Sequence, residues 1–187
     1  MEELKKALAA VSPLSEKGMN LFLAAWQCWK VPRDHFLLRE HQVADHFYFI
    51  RSGIARIYYH KAEKEITEWI AMENQFFLSI NSFFERIPSR LIIQTLEPAE
   101  VWGIHYNDLM KLAAAHHEIE TLLRKLVTLS LILSQYRMDS IQFETAQQRY
   151  DALVKNYPAI IKRVPLTYIA SFLGITLETL SRIRSSR

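Results

Sequence analysis

The sequence predicts an α+β fold: an antiparallel β-roll with flanking helices, followed by a long helix and a small helical C-terminal domain. Between about residues 34 and 106, short runs rich in Ile, Tyr, Phe and Trp alternate with turn signals such as "RSG" and "EPAE". Several short strands of this kind are typical of an antiparallel roll or barrel. After Tyr106 the apolar residues follow a helical spacing. Apolar residues make up 50% of the chain, with only 4 Gly and 6 Pro, so a packed core is expected.

The N-terminal segment is predicted to be helical. "MEELKKALAAVSPLSEKG" is amphipathic and breaks at Pro13, and a short helix is expected over 14–29, stopped by Pro32. Its apolar face consists of Leu14, Leu21, Phe22 and Trp26. The sequence shows neither a secretory signal nor an apolar run of about 20 residues, which predicts a cytoplasmic protein without a membrane helix.

The strands of the roll are expected in five runs. They are "HFLLRE", "HFYFIRSGIARIYYH", "EITEWIA", "RLIIQTL" and "EVWGIHY". The second run contains a glycine between two β-prone stretches, which indicates a turn joining two strands.

A helical region that contains the long dimer helix is predicted over about 108–143. Asn107 or Asp108 can cap a first helix, and a longer one follows from Glu118. Six apolar residues of that stretch recur at spacings of 3, 4, 3, 4 and 3, namely Ile119, Leu122, Leu126, Leu129, Leu133 and Tyr136. This heptad seam predicts a homodimer that pairs through the helix. The alternative is an ordinary core helix of a monomer.

The predicted domain boundary lies near residue 143 and divides the chain into 1–143 and 144–187. Thr145 and Gln148 stand three apart, as in a capping box that begins a helix over "AQQRYDALVKNY". Pro158 ends that helix. A small helical domain is therefore expected at the C-terminal end.

The segment "YIASFLGITLETLSRIR" has the pattern of two short helices joined by a tight turn. Ala170 lets the helices cross closely, Gly174 can adopt the left-handed conformation of the turn, and Thr176 can cap the second helix. The positions spaced to bury the inner faces are Ile169, Leu173, Ile175, Leu180 and Ile183. This register predicts a helix-turn-helix, whose second helix enters the major groove of DNA.

The positive charge of the chain is concentrated at this end. After residue 161 the charged residues are Lys162, Arg163, Arg182, Arg184 and Arg187 and the single acid Glu178, which favours an anionic partner. The candidate DNA-binding residues are Thr176, Leu177, Glu178, Thr179, Ser181, Arg182, Arg184 and Arg187. Arg182 is expected to read a guanine edge, whereas Thr179, Arg184 and Arg187 are expected to contact phosphates. The alternative is a helical hairpin with a solvated basic end.

A β-roll, a long dimer helix and a terminal helix-turn-helix together resemble the Crp/Fnr family of bacterial transcription regulators. "HFYFIRSGIARIYY" is similar to the family's strand–turn–strand unit, "ENQFF" to the turn before its ligand cassette, and "LGITLETLSRIR" to its recognition segment. The resemblance covers nearly the whole chain. It implies a cyclic nucleotide-binding-like jelly roll, a homodimer on double-stranded DNA and a small-molecule effector. Leu177 stands where relatives often carry arginine, so a different DNA target is expected.

The resemblance also places a ligand cassette in "LSINSFFERIPSRLIIQT". Arg90 falls on the position of the arginine that pairs with the cyclic phosphate, whereas a glycine, a glutamate and a serine of the cassette are replaced by Ser79, Ile80 and Leu91. Because isoleucine cannot accept a hydrogen bond from the ribose, cyclic AMP is not expected to bind in the usual manner. Ser134 of the long helix falls near a base-contacting position. The effector stays unidentified: a less polar molecule, an anion held by Arg90, or none. Arg90 as a surface arginine is the alternative.

Other functional classes fit the sequence less well. A cupin-type metal site is an alternative for a small β-barrel, and five histidines lie in the strand-rich region: His35, His41, His46, His60 and His105. No His-x-His pair with a nearby glutamate occurs among them.

The single Cys28 excludes an internal disulfide and a cysteine-held iron–sulfur cluster. Without a phosphate loop or nucleophile elbow, no enzyme is predicted. A ligand sensor or adaptor that does not bind DNA is the alternative to a regulator.

Overall fold

The computed structural model describes residues 1–185, and the chain forms two compact units. The first unit contains Met1–Ile57 and Ile70–Leu129, and the second contains Tyr58–Trp69 and the chain from Ser130 onward. The helices are α1 (Glu2–Val11), α2 (Glu16–Ala24), α3 (Ile80–Glu85), α4 (Tyr106–Ala115), α5 (His117–Phe143), α6 (Ala146–Asn156), α7 (Ile160–Arg163), α8 (Leu166–Leu173) and α9 (Leu177–Ser185). The strands are β1 (Trp26–Val31), β2 (Phe36–Leu38), β3 (His46–Ser52), β4 (Ala55–Lys61), β5 (Lys64–Ala71), β6 (Phe76–Phe77), β7 (Ile92–Thr95) and β8 (Ala99–His105).

The strands form two four-stranded sheets, with the strand orders β1-β8-β3-β6 and β2-β7-β4-β5. In the first sheet β8 pairs antiparallel with both β1 and β3. Gly53 joins β3 to β4 with a φ of 95°, and a Cβ at this position would lie 2.6 Å from the Cβ of Ala99. The turn therefore requires glycine. These sheets confirm the predicted antiparallel jelly roll.

The core of the first unit consists of aromatic and branched aliphatic side chains from both sheets and from the flanking helices. Fully buried members are Phe22, Phe49, Ile50, Ile54, Phe83, Ile93, Ile104, Leu109 and Ile119. They come from strands and helices that alternate along the sequence, so the core assembles from distant parts of the chain. The cassette and the start of α5 are both packed against it.

The N-terminal helices differ from the prediction. The helix expected over 14–29 is wrong after Ala24, because α2 ends there and Trp26 already belongs to β1. From Trp26 to Val31 each residue of β1 lies opposite a residue of β8. Aromatic and β-branched side chains suit such a pleated, half-buried surface, and the strand pairing therefore overrides the helical spacing.

The helical region predicted over about 108–143 consists of two helices, and α5 begins at His117, one residue before the predicted start at Glu118. His116 is extended, with φ −136° and ψ 108°, and it separates α4 from α5. α4 is capped by His105, whose Nδ1 accepts a hydrogen bond from the N–H of Asn107 at 3.1 Å. The predicted cap at Asn107 or Asp108 is therefore wrong by two or three residues. The acceptor in this cap is an imidazole nitrogen, whereas N-cap acceptors are usually side-chain oxygens.

The second unit contains most of the β4–β5 hairpin (Tyr58–Trp69), the C-terminal half of α5 and helices α6 to α9. α6 begins at the predicted capping box. The N–H of Gln148 donates to Oγ1 of Thr145 at 3.2 Å, and the N–H of Thr145 donates to Oε1 of Gln148 at 2.8 Å. The predicted boundary near residue 143 coincides with the end of α5, whereas the compact units divide inside that helix, after Leu129.

Candidate functional site

A tight turn that begins at Gly174 joins α8 to α9. Gly174 has φ 68° and ψ 33°, a left-handed conformation that glycine adopts without strain. The N–H of Ile175 donates to the carbonyl of Ala170 at 3.0 Å, which satisfies the end of α8. The Oγ1 of Thr176 accepts from the N–H of Thr179 at 3.2 Å. Thr176 therefore caps α9, as predicted.

The inner faces of α8 and α9 are apolar and buried. Ile169, Ala170, Leu173, Leu180 and Ile183 are buried, and Ile175 is half-buried. The outer face of α9 remains at the surface as a consequence. Of the predicted DNA-binding residues, Thr176, Leu177, Glu178, Ser181, Arg182 and Arg184 are exposed and Thr179 is half-buried. Arg187 lies outside the described residues.

The exposed face of α9 carries both signs of charge. Backbone hydrogen bonding, the hydroxyl of Thr176 and the charge of Arg182 hold the pKa of the Glu178 carboxyl below its ordinary value. Glu178 is therefore ionised at neutral pH, four residues before Arg182 on the same helical face. This face offers an acidic hydrogen-bond acceptor and a cationic donor, and Arg184 adds a second exposed cation at the side of the helix, which is the chemistry that base edges and phosphates require.

Two arginines that were not predicted as site residues support α8 from within the second unit. Nε of Arg149 donates to the carbonyl of Leu173, and Nη2 of Arg137 donates to the carbonyl of Phe172, both at 2.9 Å. Cations are favourable at this end of a helix. Each arginine lies 24 or 35 residues from its acceptor, so no local sequence pattern reveals these contacts.

The predicted ligand cassette, residues 78–95, begins directly after β6 and contains α3, the segment before β7, and β7 itself. Ser79 precedes α3 and is buried, and its hydroxyl lies 2.9 Å from the hydroxyl of Ser89. The same Ser89 hydroxyl donates to the carbonyl of Leu91 and accepts from its N–H, both at 2.9 Å. Ser79, Ser89 and Leu91 thus satisfy one another's polar groups.

The other two predicted cassette residues lie at the surface. Ile80 is the first residue of α3 and is 38% exposed. Arg90 is also exposed, between α3 and β7. Ser134 is exposed on α5 and belongs to the second unit. The polar network of the cassette therefore contains Ser79 and Leu91 but neither Ile80 nor Arg90.

Arg86 is the arginine that the fold holds at the cassette. Its Nη1 donates to the carbonyl of Ala44 at 2.7 Å, its Nη2 pairs with the carboxylate of Asp45, and its guanidinium lies 4.3 Å from the centroid of the Tyr106 ring. Ala44 and Asp45 are 42 and 41 residues away in the sequence. Sequence reasoning missed Arg86 because its partners are distant.

His46 and His105 lie opposite each other on β3 and β8, with 5.3 Å between their ring centroids. Burial, together with the charge of His105, lowers the pKa of His46. Within the described part of the chain, no three histidine, cysteine, aspartate or glutamate side chains form a group that could hold a metal ion. The pair belongs to the aromatic packing of the sheet, where Trp29 stacks edge-on against His46.

α5 buries one part of the predicted dimer seam and exposes the other. Ile119, Leu122 and Leu126 are buried within the first unit, which corrects their assignment to the dimer interface, because a side chain enclosed in its own core cannot contact a second copy. The rest of the seam, Leu129, Leu133 and Tyr136, is exposed. Phe143 continues the seam by one heptad and is 80% exposed; the prediction missed it because it followed the seam only to Tyr136.

Residues 28–116 match the family model of the cyclic nucleotide-binding domain. The matched range runs from β1 through β8 and α4. Together with the two sheets, it shows that the roll has the cyclic nucleotide-binding fold. No curated protein matches the chain by sequence.

Solved structures share the fold over most of the chain. FixK2 from Bradyrhizobium japonicum has a TM-score of 0.74 at 18% identity, over 86% of this chain and 83% of that one. CLP, the c-di-GMP-responsive global regulator of Xanthomonas campestris, has a TM-score of 0.67 at 19% identity, over 92% and 91%. The catabolite activator protein of Thermus thermophilus has a TM-score of 0.60 at 19% identity, over 96% and 85%. The chain is therefore similar in fold to bacterial regulators of the Crp/Fnr type.

Over residues 1–185, the helices are all too short or too polar to cross a membrane.

Proposed function

We propose that this chain is a Crp/Fnr-like DNA-binding transcription regulator, in which the β-roll senses an effector and the α8–α9 pair is a helix-turn-helix that binds double-stranded DNA. The observation that carries the proposal is the surface of α9. Leu180 and Ile183 are buried, whereas Glu178 and Arg182 are exposed on the opposite face and Arg184 is exposed at the edge of the buried face. A helix anchored in this way can enter a major groove without losing its own core.

The chemistry of α9 suggests how bases are read. Arg182 can donate to the O6 and N7 atoms of guanine, and Glu178 can accept from the N4 amino group of cytosine. Leu177 is 39% exposed and offers only an apolar surface, which fits a thymine methyl group better than a guanine edge. The preferred sequence is therefore expected to contain thymine at the base pair nearest Leu177.

Binding to DNA as a homodimer is the second part of the proposal. Leu129, Leu133, Tyr136 and Phe143 are exposed at spacings of four, three and seven residues on α5, which is the pattern of a helix that pairs with a second copy. A dimer would place two α9 helices on half-sites about 34 Å apart.

Changing Leu133 and Tyr136 to Glu is expected to convert the dimer into a monomer in sedimentation analysis. The matched change of Arg124 and Thr128, which are exposed on the same helix, should leave the dimer intact. A dimer that survives the first change would contradict this interface.

The effector is proposed to differ from cyclic AMP. Ile80 cannot accept a hydrogen bond from the ribose, and an unpaired buried hydroxyl costs about 1–3 kcal/mol, or one to two powers of ten in affinity. The hydroxyl of Ser79 is already paired with Ser89. The cassette is therefore a degenerate form of a nucleotide pocket. Titration with cyclic AMP tests this point, and binding at micromolar concentration would contradict it.

The experiment that tests the DNA-binding function is a mobility shift with a pool of random duplexes at two salt concentrations. Wild-type affinity is expected to fall steeply with salt, because phosphate contacts release counterions. Arg182→Ala is expected to lower affinity for the selected duplex by about 10-fold to 100-fold and to flatten sequence preference, since a bidentate guanine contact is worth about 1–3 kcal/mol. Arg33→Ala is the matched control, because Arg33 is exposed and pairs only with its neighbour Asp34 in the ion pair the structure describes.

A protein that shows no salt-dependent binding to any duplex would instead be a sensor or adaptor of the same fold that does not bind DNA. Equal losses in the Arg182 and Arg33 variants would mean that net charge, rather than the α9 face, carries the binding.

A further inference from the structure

α8 is hydrogen-bonded to the edge of a β-strand. Over residues 1–185, β5 lies at one end of its sheet. The hydroxyl of Ser171 accepts from the N–H of Thr67 at 2.9 Å and donates to the carbonyl of Glu65 at 3.3 Å. One helical side chain thus binds a donor and an acceptor on the same edge, as a neighbouring strand would. Thr67 is fully buried.

The next residue of α8 is held by two more side chains. The ring of Phe172 makes an edge-on contact with Trp69 of β5, with centroids 6.1 Å apart and planes at 84°. The guanidinium of Arg137 from α5 lies 4.2 Å from the centroid of the same ring and donates to the carbonyl of Phe172 at 2.9 Å. Aromatic and cation–π contacts of this kind are directional, so they fix the end of α8 in orientation as well as position.

We propose that these five residues, Thr67, Trp69, Arg137, Ser171 and Phe172, form a latch through which the β4–β5 hairpin positions the α8–α9 pair. All five belong to the second unit, yet β4 and β5 both continue without a break into the first unit, at Ile57 and Ile70. A displacement of the hairpin strands is therefore transmitted to α8 by direct contact.

The latch positions α8 without covering the exposed face of α9. Ser171 and Phe172 lie at the C-terminal end of α8, whereas Leu177, Arg182 and Arg184 remain exposed. The consequence for DNA, which rests on the proposed function, is that the latch sets the distance between two recognition helices of a dimer and not the affinity of each helix for its half-site.

The first test of the latch uses the full chain without DNA. In Ser171→Ala, the amide of Thr67 loses its acceptor and is expected to exchange with solvent hydrogen at least 10-fold faster, while the amides of β8 keep their protection. Phe172→Leu, which retains apolar volume but loses both ring contacts, is a second variant with the same expectation for Thr67. Thr128→Ala is the control, because the hydroxyl of Thr128 bonds only to a carbonyl of its own helix in the contact the structure describes. Exchange at Thr67 within twofold of wild type in both latch variants would overturn the proposal.

The second test uses duplexes selected from the random pool by the wild-type protein, carrying either one half-site or two half-sites at varied spacing. The Ser171→Ala variant is expected to bind one half-site within twofold of wild type, and to discriminate between spacings at least 10-fold less. Faster exchange at Thr67 with an unchanged spacing preference would overturn the positioning role. If wild type binds no duplex, the proposed function fails, and the exchange of Thr67 alone then decides whether the hairpin holds α8.

Discussion

The ligand cassette and the α8–α9 pair differ in where their geometry comes from. The contacts that shape the turn of the pair join residues close in sequence: Thr176 bonds to Thr179, and Ile175 to Ala170. The contact that fixes the cassette joins Arg86 to Ala44, 42 residues away. A motif made of local bonds can be assigned residue by residue from its sequence, whereas a motif assembled by distant partners cannot.

The largest expected difference is between two glycine turns, Gly53 in the roll that carries the cassette and Gly174 in the α8–α9 pair. In Gly53→Ala the new Cβ would meet the Cβ and Cα of Ala99 and the carbonyl of Pro98 at 2.6 to 2.8 Å, and φ is also unfavourable. We expect a loss of about 3 kcal/mol or more in the free energy of unfolding of the first unit. Gly174→Ala should lower the free energy of unfolding of the second unit by only about 1–2 kcal/mol. The smaller loss is expected because the new Cβ would meet only the flexible end of Ile141, at 3.3 Å.

Denaturant unfolding, followed by probes in each unit, measures both changes. A larger loss at Gly174 than at Gly53 would mean that local conformation, and not the clash with a neighbouring strand, dominates the cost.

The two arginines of the cassette provide the next comparison. Arg86→Ala removes a hydrogen bond to Ala44, the pairing with Asp45 and the stacking on Tyr106, and we expect a loss of about 2 kcal/mol in unfolding free energy. Arg90→Ala is expected to change it by less than about 0.5 kcal/mol, because Arg90 is exposed. Thermal unfolding of both variants measures this difference. Equal losses would assign Arg90 a structural role and remove it as a candidate for anion binding.

The cap of α9 tests how much a contact between residues close in sequence stabilises the α8–α9 pair. Thr176→Ala removes the acceptor for the N–H of Thr179, and we expect a loss of about 1 kcal/mol in the stability of the second unit. Thr176→Ser keeps a hydroxyl in place and should restore most of it. Circular dichroism during denaturation measures the loss. A serine variant as unstable as the alanine variant would show that the methyl group, and not the cap, matters.

The smallest expected effect concerns a carboxylate with a distant partner. Glu118 accepts hydrogen bonds from the N–H of Ser15 at 2.7 Å and from its hydroxyl at 2.8 Å, and these bonds lower its pKa. Because the folded pKa lies below the unfolded value, the contribution is present above the unfolded pKa of about 4.3. It is lost as the pH falls through the folded pKa.

Glu118→Gln should therefore be slightly less stable than wild type at pH 7, and the difference should shrink at pH 3. Urea unfolding of both proteins at the two pH values measures it. A difference that does not change with pH would show that the charge of Glu118 contributes nothing.

Much of the roll could be predicted because turn signals and aromatic runs mark its strands. The five expected runs correspond to β2, the β3–β4 pair, β5, β7 and β8. What could not be predicted was β1, whose helical spacing gives way to pairing with β8. This strand depends on a partner that a local window does not contain.

The sequence by itself determined the α8–α9 pair. Its apolar positions specify the buried faces, Gly174 the turn and Thr176 the cap, and the hydrogen bonds involved join residues only a few positions apart. Only the tertiary structure decided that Arg86 and not Arg90 is held at the cassette, that Ile119, Leu122 and Leu126 face their own core, and that Ser171 binds the edge of β5. The physical reason is that burial and long-range hydrogen bonding depend on which distant segments meet, and the order of residues along one segment does not contain that information.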